Sequence, residues 1–358
     1  MGVIVYKCLN CGGPLEFKAE SQKWECEYCL SDFSAEDMKR FEDEQKSQAV
    51  AEMDTETIEK EKGQEIEFVE KAKSYSCKSC GAEIVTKETT AATFCYYCHN
   101  PTIIPGQLSG DYRPAQVIPF QITKEQAEES FVQWCNKKPL LSKYFTFPSQ
   151  LEKLSGIYVP FWLFDCDTLG SIDAEATKSR SYTRGNMRYT ETKYYRVIRE
   201  GRADYRKVPA DGSTKMDEKL MGGLEPYDYA DLKDFSMSYL SGYLAEKYDL
   251  NQNDVYGRIS DVIRQHTSSL LRQTIKGYGS VSIKDSSFNI KKVDATYVLL
   301  PVWMFTYQYK GKTYVFAMNG QTGKISGNLP ISMKRAAAWF GIVTGASFLT
   351  MLIGGWVL

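Results

Sequence analysis

The stretch Cys8-Leu9-Asn10-Cys11-Gly12-Gly13-Pro14-Leu15-Glu16-Phe17-Lys18-Ala19-Glu20-Ser21-Gln22-Lys23-Trp24-Glu25-Cys26-Glu27-Tyr28-Cys29 decides how the N-terminal third folds. Two residues between cysteines let one tight turn present both sulfurs to a single ion. Gly12 tolerates that turn and leaves room for backbone N–H groups to face the thiolates. Leu15-Glu16-Phe17 and Lys23-Trp24-Glu25 are strand-like and frame a hairpin with the second cysteine pair at its end. Four sulfurs favour tetrahedral zinc with no open coordination position, which suits structure and not catalysis. A module of about 30 residues buries too little apolar surface on its own, so metal is expected to drive its folding.

The pattern occurs twice. Cys77, Cys80, Cys95 and Cys98 repeat Cys8, Cys11, Cys26 and Cys29 at a constant offset of 69, and Gly81, Ile84 and Tyr97 repeat Gly12, Leu15 and Tyr28. The expected cofactor is therefore two structural zinc ions, one on each set of four cysteines. A redox dithiol normally opens a helix after a strand and occurs once; an iron–sulfur cluster is the other competitor. His99 follows Cys98 and reads as a neighbour of the site. Cys135 and Cys166 stand alone and read as buried thiols. No secretory signal precedes Cys8, so the clustered pairs read as ligands in a reducing compartment.

Outward from the ribbons, the chain is expected to be multidomain. Residues 1–33 and 74–105 are two small β zinc ribbons, and residues 34–73, rich in Glu and Lys, a charged helical linker. Residues 111–330 read as an α+β domain. In it, Thr123 and Gln126 form a capping box ahead of Ala127, Phe131 and Trp134. Gly156 to Phe164 reads as a buried strand, residues 187–207 as hairpin strands, and Leu232–Tyr248 and Asp254–Gly277 as helices. Strands follow at Tyr297–Tyr309 and Lys312–Met318. Residues 336–358 carry no charge and, as a helix, would span about 34 Å against a hydrocarbon core of ~30 Å. With Lys334-Arg335 before it, this run is expected to be a C-terminal transmembrane helix of a single-pass cell-membrane protein whose N-terminal domains are cytoplasmic. Ala337, Gly341 and Gly345 form a small-residue face on it that could bring membrane helices together as an oligomer.

Charge and motifs narrow the function. The formal net charge is -1 over 358 residues, and two metallated four-thiolate sites would take it to roughly -5. Nucleic acid is therefore an unfavoured partner in bulk. There are only two histidines, His99 and His266. No Gly-x4-Gly-Lys-Ser/Thr motif is present, and Gly320-Gln321-Thr322-Gly323-Lys324 has the wrong spacing. Asp165, Asp167 and Asp173 have nothing in the sequence to bring them together. No enzyme is expected. One stretch stands apart: Arg180, Arg184, Arg188, Lys193, Arg196, Arg199, Arg202 and Arg206, interleaved with tyrosines. Such a surface suits single-stranded nucleic acid, anionic lipid headgroups or an acidic partner, and equally a solvated strand face.

The paired ribbons, Gly222-Gly223-Leu224-Glu225-Pro226-Tyr227-Asp228, Tyr239-Leu240-Ser241-Gly242-Tyr243-Leu244-Ala245-Glu246 and Pro301-Val302-Trp303-Met304 complete a resemblance. The chain resembles a bacterial family of double zinc-ribbon (TFIIB-type) membrane proteins, often labelled primosomal-helicase-like. That label fails here for want of any ATPase motif. Relatives occur in envelope-stress gene groups with phage-shock-protein-A-like and SPFH-type proteins. The resemblance implies an adaptor that binds such protein partners at the cytoplasmic membrane face, its ribbons projecting from the membrane-proximal domain. A membrane-tethered nucleic-acid-binding ribbon protein is the alternative.

Overall fold

The computed structural model describes residues 6–52, 72–76, 83–87, 90–94, 101–104, 108, 110–141, 154–309, 312–327, 330 and 332–357. They form two compact units, one built from Met1–Pro160, Lys215–Lys247 and Leu299–Leu358, the other from Phe161–Thr214 and Tyr248–Val298.

In the first unit, β1 (Leu15–Lys18), β2 (Lys23–Cys26) and β3 (Asp32–Phe33) make a three-stranded antiparallel sheet. Alternation buries Leu15, Phe17, Trp24 and Cys26 on one side. Helix α1 (Ala35–Glu52) follows; Met38 is buried and Phe41 lies 6.1 Å from the Tyr6 ring. β4 (Ala72–Ser76) pairs with β5 (Glu83–Lys87), and β6 (Thr90–Phe94) with β7 (Pro101–Ile103). Two of these pairings repeat pairings of the first module at the cysteine offset. Lys7↔Pro14 becomes Ser76↔Glu83, and Trp24↔Phe33 becomes Thr93↔Thr102. Cys77, Cys80, Cys95, Cys98 and His99 lie outside the described residues.

The core of this unit surrounds Phe120. Its ring stacks on Tyr243 at 4.1 Å and meets Tyr158 and Trp303 edge-on. Helix α2 (Lys124–Asn136) begins at the Thr123/Gln126 capping box and lays Ala127, Phe131 and Cys135 on the core, with Phe131 stacked on Phe305.

The second unit is a long hairpin backed by a helix. β9 (Leu154–Arg184) enters it from the first unit, turns at Gly185-Asn186 and returns as β10 (Met187–Asp211). Ile172, Ala174, Ala176 and Val197 pack against Leu271 and Ile275 at the end of a long helix, Gln252–Gln273. Gly170 and Gly201 sit opposite one another in the hairpin. A Cβ on Gly170 would lie 2.7 Å from Thr267 Cγ2, and one on Gly201 would lie 3.0 Å from Leu271 Cδ2, so this cross-strand pair is what admits the helix.

Three expectations are corrected. The domain after residue 111 is mostly β and not an even α+β mixture. β9, β10 and β13 (Ser280–Tyr309) are very long, and seven strands of a ten-stranded sheet run in the order β11 (Lys233–Asp234), β8 (Gln116–Val117), β13, β9, β12 (Leu244–Glu246), β6, β7, with β10, Lys312–Asn319 and Ile325–Gly327 paired off that path. The helix expected over 232–248 is instead β11, a 3-10 turn at Met237–Leu240 and β12. Ser236 caps the turn from its side chain and Gly242 takes a φ of 91°, both incompatible with a continuing helix. Finally, Met333–Val357 is a helix, yet among the described residues no helix is long and apolar enough to cross a membrane. Gly341, Thr344, Gly345, Ser347 and Thr350 interrupt the apolar residues of this run. The expected transmembrane helix over 336–358 and the single-pass cell-membrane placement fall with it. Ala337, Gly341 and Gly345 are exposed on this helix, and a Cβ on either glycine would meet nothing within 4 Å.

Candidate metal centre and its socket

Cys8, Cys11, Cys26 and Cys29 converge. Their four sulfurs all lie within 4.8 Å of one another, with Cys8–Cys29 and Cys11–Cys26 at 3.4 Å. Four sulfurs bonded at ~2.3 Å to a tetrahedral ion stand about 3.8 Å apart. The donor set therefore fits one metal ion.

Two matching turns present the sulfurs. In the first, Gly12 N–H bonds to Cys8 O at 2.8 Å and Cys8 N–H to Gly13 O at 2.6 Å. In the second, Leu30 N–H bonds to Cys26 O at 2.9 Å and Cys26 N–H to Ser31 O at 3.0 Å. The residue after each pair is left-handed: Gly12 at φ 76° and Leu30 at φ 59°. Glycine fills the first position freely, while leucine pays a steric cost at the second. Asn10 N–H faces Cys8 Sγ at 3.4 Å, the outer-shell arrangement that stabilises a thiolate. Hydrogen bonds from the Ser31 hydroxyl and backbone N–H pull the Cys29 thiol down to about 6. Cys11 is pushed up to about 12; the Gly13 N–H opposes this, but the thiols of Cys29 and Cys26 prevail. Such a cluster holds protons that a divalent ion displaces.

The hairpin behind the site is seated, not free. Trp24 Nε1 donates to Ser238 O at 2.8 Å, Phe17 N–H bonds to Ser241 O at 3.0 Å, and the Ser241 hydroxyl donates to Leu15 O. Phe17, Trp24 and Tyr239 form a ring cluster with centroids 5.0–5.4 Å apart. The Ser236 hydroxyl and Tyr6 both donate to Glu42. β6 then takes the next residues of the same segment, with Ala92 opposite Ala245. The segment Tyr239–Glu246 is thus a socket for both N-terminal modules, and the expectation that the ribbons project is corrected. The metal end of the first one is open, where Leu9, Tyr28 and Leu30 are exposed, as is the hairpin turn at Glu20–Lys23.

No family model and no solved structure matches the chain. It is 38% identical over 355 residues to YdjG, an uncharacterized protein of Bacillus subtilis (strain 168), across 98% of this chain and 96% of that protein. The chain belongs to the YdjG family. The YdjG-like span includes both cysteine sets and the socket.

The eight cations singled out in the sequence all lie on β9 and β10 or the bulge near its end, but they do not make one surface. In the hairpin register, Arg180, Arg184, Lys193 and Arg199 share one face, while Arg188, Arg196 and Arg202 share the other. Several are neutralised. Arg196 pairs with Asp173 at 2.6 Å and holds that carboxyl below its usual range. Arg202 and Arg206 converge on Asp167 at 3.0 and 3.2 Å. Of the lone cysteines, Cys135 and Cys166 are both buried, and burial pushes the Cys135 thiol up to about 12. His266 meets the Tyr205 hydroxyl at 3.2 Å, which in turn meets the Thr267 hydroxyl at 2.7 Å, and among the described residues it joins no cluster of metal ligands. The socket residues had a sequence signal only in the Tyr239–Glu246 motif, whose spacing carries no chemistry of its own.

Proposed function

We propose that this chain is a zinc-dependent scaffold that binds protein partners and performs no chemistry of its own. The observation that carries the reading is the closed set of four sulfurs at the end of a hairpin whose other end is locked into the Tyr239–Glu246 socket. A metal with four protein ligands has no position left for substrate, so its work is to hold a shape. Zinc is the ion that four thiolates in this geometry favour. A second zinc is assigned to Cys77, Cys80, Cys95 and Cys98, supported by two strand pairings that repeat those of the first module. By family resemblance the partners are phage-shock-protein-A-like and SPFH-type proteins in an envelope-stress setting.

Metal analysis of reduced, folded protein tests the first half. Two zinc ions per chain are expected, falling to one in Cys8→Ser/Cys11→Ser and to one in Cys77→Ser/Cys80→Ser. A stoichiometry near zero refutes it. Co-purification with a purified phage-shock-protein-A-like partner tests the second half, and binding that survives complete zinc removal would sink the zinc-dependent scaffold. The alternative, a nucleic-acid-binding ribbon protein, draws less support because Arg196, Arg202 and Arg206 are already in ion pairs. Micromolar DNA or RNA binding with a steep salt slope would revive it.

A further inference from the structure

The hairpin of the second unit outruns its core. The last contact that backs it is Gly279 N–H to Thr177 O at 2.7 Å, next to the edge-on Tyr195–Tyr278 pair. From Lys178 through Lys193 the two strands pair only with each other, and every described side chain there is exposed. β10 pairs with β9 alone, so its outer edge from Met187 to Arg196 offers a row of backbone donors and acceptors to solvent. An edge of that length is a template for another strand.

Charge says what kind. Residues 178–193 hold five cations, Lys178, Arg180, Arg184, Arg188 and Lys193, against the single carboxylate of Glu191. Among them, only Lys193 is in an ion pair, with Glu191 at 3.7 Å across two exposed side chains, which is worth little. Nearer the core the pattern reverses, and arginines meet aspartates. The tip's two faces also differ. One carries Lys178, Arg180, Arg184 and Lys193 around the stacked Tyr182–Tyr189 pair, whose centroids are 5.7 Å apart. The other carries a hydroxyl ladder, with Ser179–Thr192 and Ser181–Thr190 each at 2.9 Å.

A second copy of this chain is a poor occupant, because edge-to-edge pairing would set like cations against each other. A bilayer is less well served: the turn itself is Gly185-Asn186, and beside it only Met187 is wholly apolar, the exposed Tyr182 and Tyr189 being stacked on each other. We infer that the outer edge of β10 binds an extended acidic protein segment, which adds as a strand and places alternate Asp or Glu residues over the cationic face. Backbone hydrogen bonds would supply affinity, and the cations would supply orientation and selection. The inference rests on the protein-binding reading above but not on the metal.

The test uses the full chain and a fluorescent peptide of about ten residues alternating Glu and Thr, the length of the tip strand. Fluorescence anisotropy should show saturable binding at low salt, at least tenfold weaker for the Lys/Thr analogue. Arg180→Ser/Arg184→Ser/Arg188→Ser/Lys193→Ser should abolish it while the circular dichroism spectrum and zinc content stay unchanged. Two further peptides carry backbone N-methyl groups at odd or at even positions with the same charge. At least one must lose tenfold or more, since a methylated N–H cannot join the ladder. Equal binding by both, or tighter binding of an oligothymidylate or of anionic vesicles than of the Glu/Thr peptide, overturns the inference. Absent binding with intact zinc content overturns it too and leaves the scaffold reading standing.

Discussion

Two hairpins in this molecule solve the same problem in opposite ways. The hairpin of residues 15–26 is four residues per strand and would be far too short to persist alone. It is clamped by sulfur at one end and by the Phe17, Trp24 and Tyr239 rings at the other. The β9–β10 hairpin is several times longer and needs no clamp near its base, because a helix covers Ile172, Ala174 and Val197 there. Its far end has neither metal nor core, only cross-strand pairs and solvent. Burial decides which part of a hairpin is structure and which part is available surface.

The contrast breaks most severely if metal is removed. Chelation of the reduced protein should unfold the first module cooperatively, since structural zinc in such modules contributes on the order of 10 kcal/mol. The amides of Leu15–Lys18 and Lys23–Cys26 should lose hydrogen-exchange protection while those of Ile172–Ala176 keep it. Protection that survives chelation would show that the socket alone holds the hairpin. Next in size, Trp24→Ala should cost about 3–5 kcal/mol of that module's stability, read by urea denaturation. Gly170→Ala tests the other hairpin. A methyl at that position collides with Thr267, and about 1–3 kcal/mol should be lost from the second unit alone.

Smaller effects sharpen the picture. Glu225 is half-buried, and burial pushes its carboxyl up to about 7 against the opposing pull of Lys324. Raised in the folded state, it holds a proton that the unfolded chain releases near the ordinary glutamate range. Stability should therefore fall as pH rises from about 4.5 to 7 and level off above, by on the order of 1 kcal/mol given its partial exposure. Glu225→Gln should flatten that slope in thermal melts across the same range. The smallest change is the most pointed: Leu30→Gly should raise the first module's stability by about 0.5–1 kcal/mol. It relieves a left-handed leucine that is 84% exposed and so has little packing to lose.

The cysteine spacing made the first module legible because metal geometry is local: a few residues fix where each sulfur points. The repeat at an offset of 69 was legible for the same reason, and two of its strand pairings follow it. The Thr123 cap and the helix at Gln252–Gln273 announced themselves through side-chain chemistry and a 3.6 period. What stayed hidden depends on distant partners. Residues 232–248 have helix-like spacing, yet the Ser236 and Ser241 hydroxyls donate to Glu42 and Leu15, the Ser238 carbonyl accepts from Trp24, and Ser236 caps its own turn. The half of β13 from Ser280 to Ala295 was missed for another reason. Its apolar residues run Val281 and Ile283, then Phe288 and Ile290, then Val293, so their parity flips twice. The second flip falls at Lys292, whose φ is 51°. The apolar C-terminal run misled because composition alone does not supply a spanning helix.

Trp24 has one more consequence. Its indole is 1% exposed, lies two residues from the ligand Cys26 and sits against the Tyr239 ring 5.1 Å away. The chain therefore carries a built-in optical gauge of its own loading state. Emission from this one of six tryptophans should shift to the red as an ion leaves and water reaches the ring, so occupancy of the purified protein can be followed without a label.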